Sequence, residues 1–191
     1  MLLTNDVIEL NAKDGNGDTP LHEACFHGKV KITKMLLDRM KEKDITDLMV
    51  RNDLGLTPFH LACREGHIKI TNLLLEFSVD PGSLVIASDN EGATPLHLAC
   101  QKDNEKIVEL LLEKKADIFA CKSDGVTPIH VAAQYGCVKV MNVLLEHPLV
   151  PPLTIKEVIN QTDNYNQTPL HFAAENGKVE MMKLLLDRYS N

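Results

Sequence analysis

The chain has 191 residues and a formal net charge of −7, and 25% of its residues are charged. The negative charge argues against binding to the nucleic-acid backbone, because such binding needs clustered lysine and arginine. No apolar run approaches the roughly 20 residues of a membrane-spanning helix, and Leu2–Leu3 is too short for a signal-peptide core.

The first predicted element after residues 1–13 is a helix that starts at Thr19-Pro20. The threonine hydroxyl can accept a bond from a free amide of the first turn, and proline at the first helical position loses no hydrogen bond. Successive copies of the tetrapeptide Thr-Pro-apolar-His are spaced by 38, 37, 33 and 41 residues. The four later copies are at 57–60, 94–97, 127–130 and 168–171.

Residues 89–121 show the order of elements within one repeated unit. Gly92 lies in a predicted turn, and a short apolar helix follows Thr94-Pro95. A polar break at Asp103–Asn104 precedes a second helix with apolar residues at helical spacing. Neither helix is long enough to be stable alone in water, so each unit needs a neighbour to pack against.

Five such units resemble ankyrin repeats, whose basic period is about 33 residues. The resemblance implies an all-α solenoid of stacked helix-turn-helix units with β-turn fingers, in a single domain. We predict a remnant of a preceding repeat at 1–13 and five repeats, of which the fourth carries an insertion. The repeats span 14–51, 52–88, 89–121, 122–162 and 163–191.

The first repeat exceeds the basic period at its carboxyl end. Ile45, Leu48 and Met49 there predict an extended second helix or an extra turn that packs back on the array. We expect the core of this repeat to contain the apolar residues of both helices. These are Leu21, Ala24, Cys25, Val30, Ile32, Met35, Leu36 and Leu37.

Other segments depart from the regular pattern. Residues 84–87, after a Pro-Gly turn, predict a short strand-like finger. Asp103 stands where the family has glycine, which predicts a strained or differently closed loop. Asn166 replaces the turn glycine of the last repeat, and asparagine adopts a positive φ more readily than most residues.

The longest insertion follows the second helix of repeat four. Prolines between 148 and 152 are predicted to stop that helix. Thr154–Glu157 has capping-box spacing and predicts one extra helical turn. Both chain ends carry apolar helical sequence instead of the polar face of a terminal repeat, so we expect a segment of a longer array.

The histidines of the tetrapeptide are predicted to be structural. Equivalent residues of stacked units lie about 10 Å apart, too far to share a metal, and we expect the rings to bond to turn backbone or to the helix-start threonine. Cys25, Cys63 and Cys100 share one repeat position, which Ala133 and Ala174 occupy elsewhere. They are predicted to be reduced core thiols, which indicates a cytoplasmic or nuclear setting.

Two further motifs match patterns of site chemistry. Residues 14–18 begin like a calcium loop, but Thr19 and Cys25 occupy positions that the loop fills with glycine and glutamate. Residues 160–162 and 166–168 match the glycosylation pattern, and both matches are interpreted as accidental. No phosphate loop, nucleophile elbow or metal-spaced cysteine pair occurs, so we predict no catalytic, cofactor or metal site.

Two classes of function remain open on the sequence. An enzyme needs titratable groups that converge in a pocket, and a repeat array spreads equivalent groups apart. A protein-interaction module is the class that the resemblance implies, with partners on the concave face of fingers and first helices. An enclosed pocket with a strongly perturbed acid or base would favour the enzyme.

The resemblance places partner contacts at variable positions of the fingers and first helices. In this chain these are Asp53, Leu54, Leu56, Arg64, Glu65, Asn90, Glu91, Gln101, Lys102, Ser123, Asp124, Val126, Gln134 and Tyr135. Leu54, Leu56, Val126 and Tyr135 are the apolar members, and they resemble anchors in a polar rim. The alternative is that they are ordinary exposed residues.

The uneven insertions are similar to those of the long arrays of ankyrin-type transient receptor potential (TRPA) channels. The segments most similar to these arrays are 44–57 and 113–130. This resemblance implies a cytosolic sensory or assembly domain of an ion channel, with the pore elsewhere. An adaptor, a scaffold or a pathogen effector with ankyrin repeats is the alternative parent.

Overall fold

The structure, a computed structural model, describes residues 9–146 and 155–190. Within these residues all regular secondary structure is helical, in twelve helices. They are α1 (Pro20–Phe26), α2 (Val30–Glu42), α3 (Pro58–Arg64), α4 (Ile68–Phe77), α5 (Pro81–Ile86), α6 (Pro95–Ala99), α7 (Glu105–Glu113), α8 (Pro128–Tyr135), α9 (Val138–Glu146), α10 (Ile155–Ile159), α11 (Pro169–Glu175) and α12 (Val179–Ser190).

Ten of these helices form five consecutive pairs, and α5 and α10 are short additions between pairs. The first helices pack in one row, α1 on α3, α3 on α6, α6 on α8 and α8 on α11. The second helices pack in another, α2 on α4, α4 on α7, α7 on α9 and α9 on α12. One continuous apolar core runs through the pairs. The prediction of an all-α solenoid is confirmed.

The prediction of a strand-like finger at 84–87 is wrong, because Leu84, Val85 and Ile86 lie in helix α5 and Ala87 directly follows its last residue. The Asp80 side chain accepts a bond from the backbone N–H of Ser83 (3.3 Å), and Pro81 occupies the first helical turn. Leu84 and Val85 are buried against the array. A capped start after Asp80 therefore turns an apolar run that resembles a strand into one and a half turns of helix.

Helix α2 extends to Glu42, as the prediction of a long second helix requires. The predicted core of the first repeat is wrong at Ile32 and Met35, which are 50% and 70% exposed. Leu37 is buried as predicted, and Met40, which was not predicted, is buried as well. The buried face of α2 points toward α1 and α4, and Ile32 and Met35 lie on another side of the helix.

The predicted departure of the Asp103 loop from the family pattern is confirmed. Asp103 has φ +53°, where four equivalent loops have glycine with φ between +63° and +76°. Its carboxylate accepts a bond from the backbone N–H of Val140 in the next pair (3.1 Å), which offsets the cost of a left-handed aspartate. Asn166 likewise adopts a left-handed conformation, with φ +61°.

Helix α10 confirms the extra helical turn predicted after the insertion. Val158 and Ile159 are buried in it. The predicted capping residue Thr154 and the prolines at 148–152 lie outside the described residues, as does the amino-terminal part of the predicted remnant.

We expect Lys115→Gly to stabilise the protein by about 0.5–1 kcal/mol. Lys115 follows α7 with φ +67°, a conformation that glycine adopts without strain, and its backbone N–H bonds to the carbonyl of Leu112 (2.8 Å). The matched control is Lys114→Gly, because Lys114 has φ −85° and glycine there gains nothing. Urea unfolding of both variants measures the difference. Equal effects of the two changes would contradict the strain at Lys115.

Candidate functional site

The turns that precede the first helices form a continuous row of fingers. Each finger is closed by a backbone bond, such as that from the Asn52 N–H to the Leu56 carbonyl (3.0 Å). Each is joined to the finger before it by another backbone bond, such as that from the Asp53 N–H to the Asn16 carbonyl (3.0 Å). The corresponding bonds to preceding fingers are Asn90 to Leu54, Ser123 to Glu91 and Asn164 to Asp124.

The tetrapeptide histidines fix each finger to the helix beneath it and to the next unit. In α6, the backbone N–H of Thr94 donates to Nδ1 of His97 (3.1 Å), so the ring proton is on Nε2. Nε2 then donates to the carbonyl of Val126 in the next finger (3.1 Å). The bond to the helix-start threonine and turn backbone was predicted and is confirmed. The link to the following unit was not predicted, and it also occurs at His22, His60 and His130.

Burial keeps these histidines neutral. Desolvation lowers the pKa of His60 and of His97 to about 4, despite the backbone carbonyls that stabilise their protonated forms. Both side chains are fully buried, and no buried side-chain nitrogen or oxygen among the described residues lacks a hydrogen-bond partner. A histidine with both ring nitrogens engaged is a structural group and is poorly placed to bind a ligand or transfer a proton.

The cysteines of the first helices are free thiols within the core. Cys25, Cys63 and Cys100 are fully buried, and desolvation raises the pKa of each thiol. Ala133 occupies the same buried position, but Ala174 is exposed, which corrects the prediction for that residue. Helix α11 covers α8, but no described residue covers the side of α11 that faces away from α8, and Ala174 lies exposed on α11.

A groove runs along the surface between the fingers and the first helices. Its larger compartment, of about 600 Å³, extends from Leu54 to Phe172, and a second compartment of about 440 Å³ extends from Asn16 to Arg64. The two compartments adjoin at Leu54, Leu56 and Arg64, and together they are called the groove below. Of the described residues that line it, none belongs to a second helix.

Most of the predicted partner contacts line this groove. The lining members are Asp53, Leu54, Leu56, Arg64, Asn90, Glu91, Gln101, Asp124, Val126, Gln134 and Tyr135. Leu54 and Tyr135 are 65% and 48% exposed, so their side chains are accessible to a ligand. Glu65, Lys102 and Ser123 lie outside the lining set.

Two of the predicted apolar anchors need correction. Leu56 and Val126 are only 4% and 6% exposed, and they form part of the core under the groove. Their carbonyl groups accept the bonds from His22 and His97. They can support the floor of the groove but cannot act as protruding anchors.

Sequence reasoning missed groove residues at both ends of the array. Tyr165 occupies the finger position that Leu54 has in the second repeat, and it is 75% exposed. Phe26, at the end of α1, lies under the guanidinium of Arg64, 5.4 Å from the ring centroid. The predicted contact residues all belong to repeats two to four. The same repeat frame, extended to repeat five, would have found Tyr165.

Charged side chains near the groove form two small clusters. Glu65 lies between Arg64 (3.1 Å) and Lys102. Burial opposes ionisation of Glu65, but the hydrogen bonds and positive charges of Lys102 and Arg64 outweigh it and lower the pKa of the carboxyl. Lys122 lies between Glu91 (3.4 Å) and Asp124 (3.6 Å).

The residues of the calcium-like motif form a group of carboxylates beside the first finger. Oxygen atoms of Asp14, Asp18 and Glu23 lie within 4.8 Å of one another. One oxygen of Asp14 already accepts the backbone N–H groups of Asn16 (2.8 Å) and Asp18. This bonding is that of a turn cap, and we assign no ion to the group.

Comparison with known families decides what this architecture is. A family model described as ankyrin repeats in three copies matches residues 45–121, 84–153 and 119–191. A second model, described as ankyrin repeats in many copies, matches residues 1–37. The chain belongs to the ankyrin-repeat family. No curated protein gives a significant match to it.

Ankyrin repeats bind protein partners and are generally non-catalytic. The stacked helix pairs and β-turn fingers of this chain are those expected of an ankyrin-repeat solenoid. Among the described residues, no helix combines the length and the apolar character needed to cross a membrane.

Proposed function

We propose that the protein is a protein-interaction module without catalytic activity, and that its partner binds in the groove. The observation that carries the proposal is the groove itself, which crosses all five fingers and contains the exposed side chains of Leu54, Tyr135 and Tyr165. Exposed aromatic and aliphatic residues surrounded by polar groups are the usual anchors of protein partners.

The second helices provide a contrasting surface. Their exposed residues are largely charged groups of both signs, including Lys31, Lys34, Asp38, Lys106 and Glu109. Large exposed apolar residues on the second helices lie on α2 and α12, for example Ile32 and Met35, whereas on α4, α7 and α9 the mixed and solvated charges give a partner little apolar area to bury. This contrast supports the face of fingers and first helices as the binding surface.

The alternative of an enzyme in the groove has little support. The lining histidine with a perturbed pKa is His97, and both of its ring nitrogens are engaged by protein atoms. A general acid or base must reach the proton that it transfers, and a fully buried ring cannot do so.

We further propose that the module is cytoplasmic and that its repeats follow the boundaries predicted from the sequence. The buried free thiols support a reducing compartment. For the parent protein, the uneven insertions favour the array of a TRPA-type ion channel, and an adaptor, a scaffold or a pathogen effector is the alternative. Affinity capture from cell extract, with identification of the bound proteins, distinguishes these parents.

If the partner binds in the groove, the double change Leu54→Ala with Tyr135→Ala should reduce the binding free energy of a captured partner by about 1–2 kcal/mol or more, which is the size of a hot-spot loss. Both side chains are exposed, so the thermal unfolding midpoint should change little. Ile32→Ala with Met35→Ala is a matched control, because it removes exposed apolar groups on α2, outside the groove. Calorimetric titration with the purified partner measures both variants. A larger loss with the control pair would refute the groove as the binding surface.

A further inference from the structure

The groove carries a strong excess of negative charge. Among the described residues that line it, seven carry a carboxylate and two carry a cationic side chain. The carboxylates are those of Asp18, Glu23, Asp53, Asp89, Glu91, Asp124 and Asp163, and the cations are Arg64 and Lys122. A concave surface lined by one sign of charge concentrates ligands of the opposite sign.

Both cations are already neutralised by neighbouring side chains. Lys122 is shared by Glu91 and Asp124, and only 21% of its side chain is exposed. Arg64 is bonded to Glu65 (3.1 Å) and stacked over Phe26. Neither is therefore positioned to attract an acidic ligand. The pairing of Lys122 with Glu91 and Asp124 also reduces the charge of these two carboxylates, but carboxylates still outnumber cations in the lining.

Two finger carboxylates are the most accessible to a ligand. The Glu91 side chain is 78% exposed, and one of its oxygens lies 3.4 Å from Lys122 Nζ, so an incoming guanidinium would share this carboxylate with Lys122. Asp53 is exposed at the tip of its finger, and its carboxylate has no bonding partner among the described residues. The Asp89 and Asp163 carboxylates each accept two backbone N–H groups of their own turns, so they contribute charge but little free bonding capacity.

Two tyrosines stand at the other end of the groove. Tyr135 closes α8, and Tyr165 is at the tip of the last finger, with 48% and 75% of their surfaces exposed. An exposed aromatic face is a favourable site for a guanidinium group, which can stack on the ring, while other guanidinium groups of the same ligand bond to carboxylate oxygens elsewhere in the groove. The stacking of Arg64 on Phe26 shows this contact within the groove itself.

We propose that the groove recognises a basic, elongated segment of a partner protein that carries arginine side chains. The arginines bond to the Asp53 and Glu91 carboxylates and stack on Tyr135 and Tyr165. The inference rests on the proposed function and adds the chemistry of the partner. An elongated segment fits because the lining residues come from five successive fingers.

The test uses fluorescent synthetic peptides of equal length, built from Gly-Arg-Ser, Gly-Lys-Ser or Gly-Glu-Ser repeats, with binding measured by anisotropy. The arginine peptide should bind about threefold or more tightly than the lysine peptide, since only a guanidinium both stacks and bonds in a planar fork. The glutamate peptide should not bind. High salt should weaken the binding of both cationic peptides.

Three double variants separate groove recognition from general attraction to an acidic protein. Tyr135→Leu with Tyr165→Leu should abolish the preference for arginine over lysine at unchanged net charge. Asp53→Asn with Glu91→Gln should reduce the affinity for both cationic peptides by about fivefold. Glu109→Gln with Glu113→Gln removes the same charge from exposed positions on α7, outside the groove, and should leave both affinities unchanged. Circular dichroism confirms that each variant is folded.

Two results would overturn the inference: no binding of the arginine peptide, or an equal loss with the Glu109 and Glu113 variant. The outcome for the proposed function is separate. The proposed function would stand, and a basic ligand would be refuted, if binding of the captured partner is weakened by the Leu54 and Tyr135 variant but is unchanged by the Asp53 and Glu91 variant. A partner that is insensitive to every groove variant would refute the proposed function.

Discussion

Leu111→Ala should lower the free energy of unfolding by about 2–5 kcal/mol. Leu111 is fully buried in α7, which packs against α4, α6 and α9, so the cavity would open at the centre of the array. Rigid helices on several sides leave little scope for the site to collapse around the smaller side chain.

Urea unfolding followed by circular dichroism measures this loss. Glu109→Ala is the matched control, because Glu109 is exposed on the same helix and its truncation should change stability by less than about 0.5 kcal/mol. A loss below about 1 kcal/mol at Leu111 would show that the helix packs in a different register.

Stability should fall steeply as the pH is lowered from about 6.5 toward 4. Burial depresses the pKa of His60 and of His97 to about 4 in the folded protein, against an ordinary value of 6.5. Between pH 6.5 and 4, these histidines are therefore protonated in the unfolded chain but remain neutral in the folded chain. The stability that the neutral histidines contribute is complete above pH 6.5 and is lost as the pH falls toward 4.

The loss amounts to about 3 kcal/mol for each of these two histidines by pH 4, since one pKa unit corresponds to 1.36 kcal/mol. Burial also lowers the pKa of His22 and His130, so all four contribute in the same direction. The pKa of the Glu65 carboxyl is also lowered, but the contribution of Glu65 to the free energy of unfolding is lost only as the pH falls below the ordinary pKa of 4.5. Measurements between pH 7 and 5 thus isolate the histidines.

The decisive variant is His97→Gln. It should reduce the slope of unfolding free energy against pH by up to about 1.4 kcal/mol per pH unit, the contribution of one proton. Leu111→Ala is the control, because it lowers stability at every pH and should retain the full slope. An unchanged slope in His97→Gln would contradict a depressed pKa at this ring.

The sequence by itself determined the helical repeats and the local bonding at their starts. Thr94, Pro95 and His97 lie within four residues of one another, so their bonds follow from the spacing alone. The left-handed Asp103 and Asn166 were predictable for the same reason, because a turn position dictates its own backbone conformation.

Tertiary structure decided how these local elements face one another. The apolar run at 84–87 does not by itself distinguish a strand from the short helix α5, which begins at the local cap of Asp80 and is held by contacts with α4 and α6. Ile32 and Met35 have the same apolar character as Leu37, but only the placement of α2 against its neighbours shows which of them is buried.

The candidate site divides in the same way. Finger positions were predicted from the repeat frame, but Leu56 and Val126 are buried in the core where units meet, and their carbonyls accept bonds from histidines of the preceding unit, 34 and 29 residues away. The groove exists only because five fingers stack side by side and bring Asp53, Glu91 and Tyr165 onto one surface. Local sequence determines bonds a few residues apart, whereas burial and surface charge depend on which units pack together.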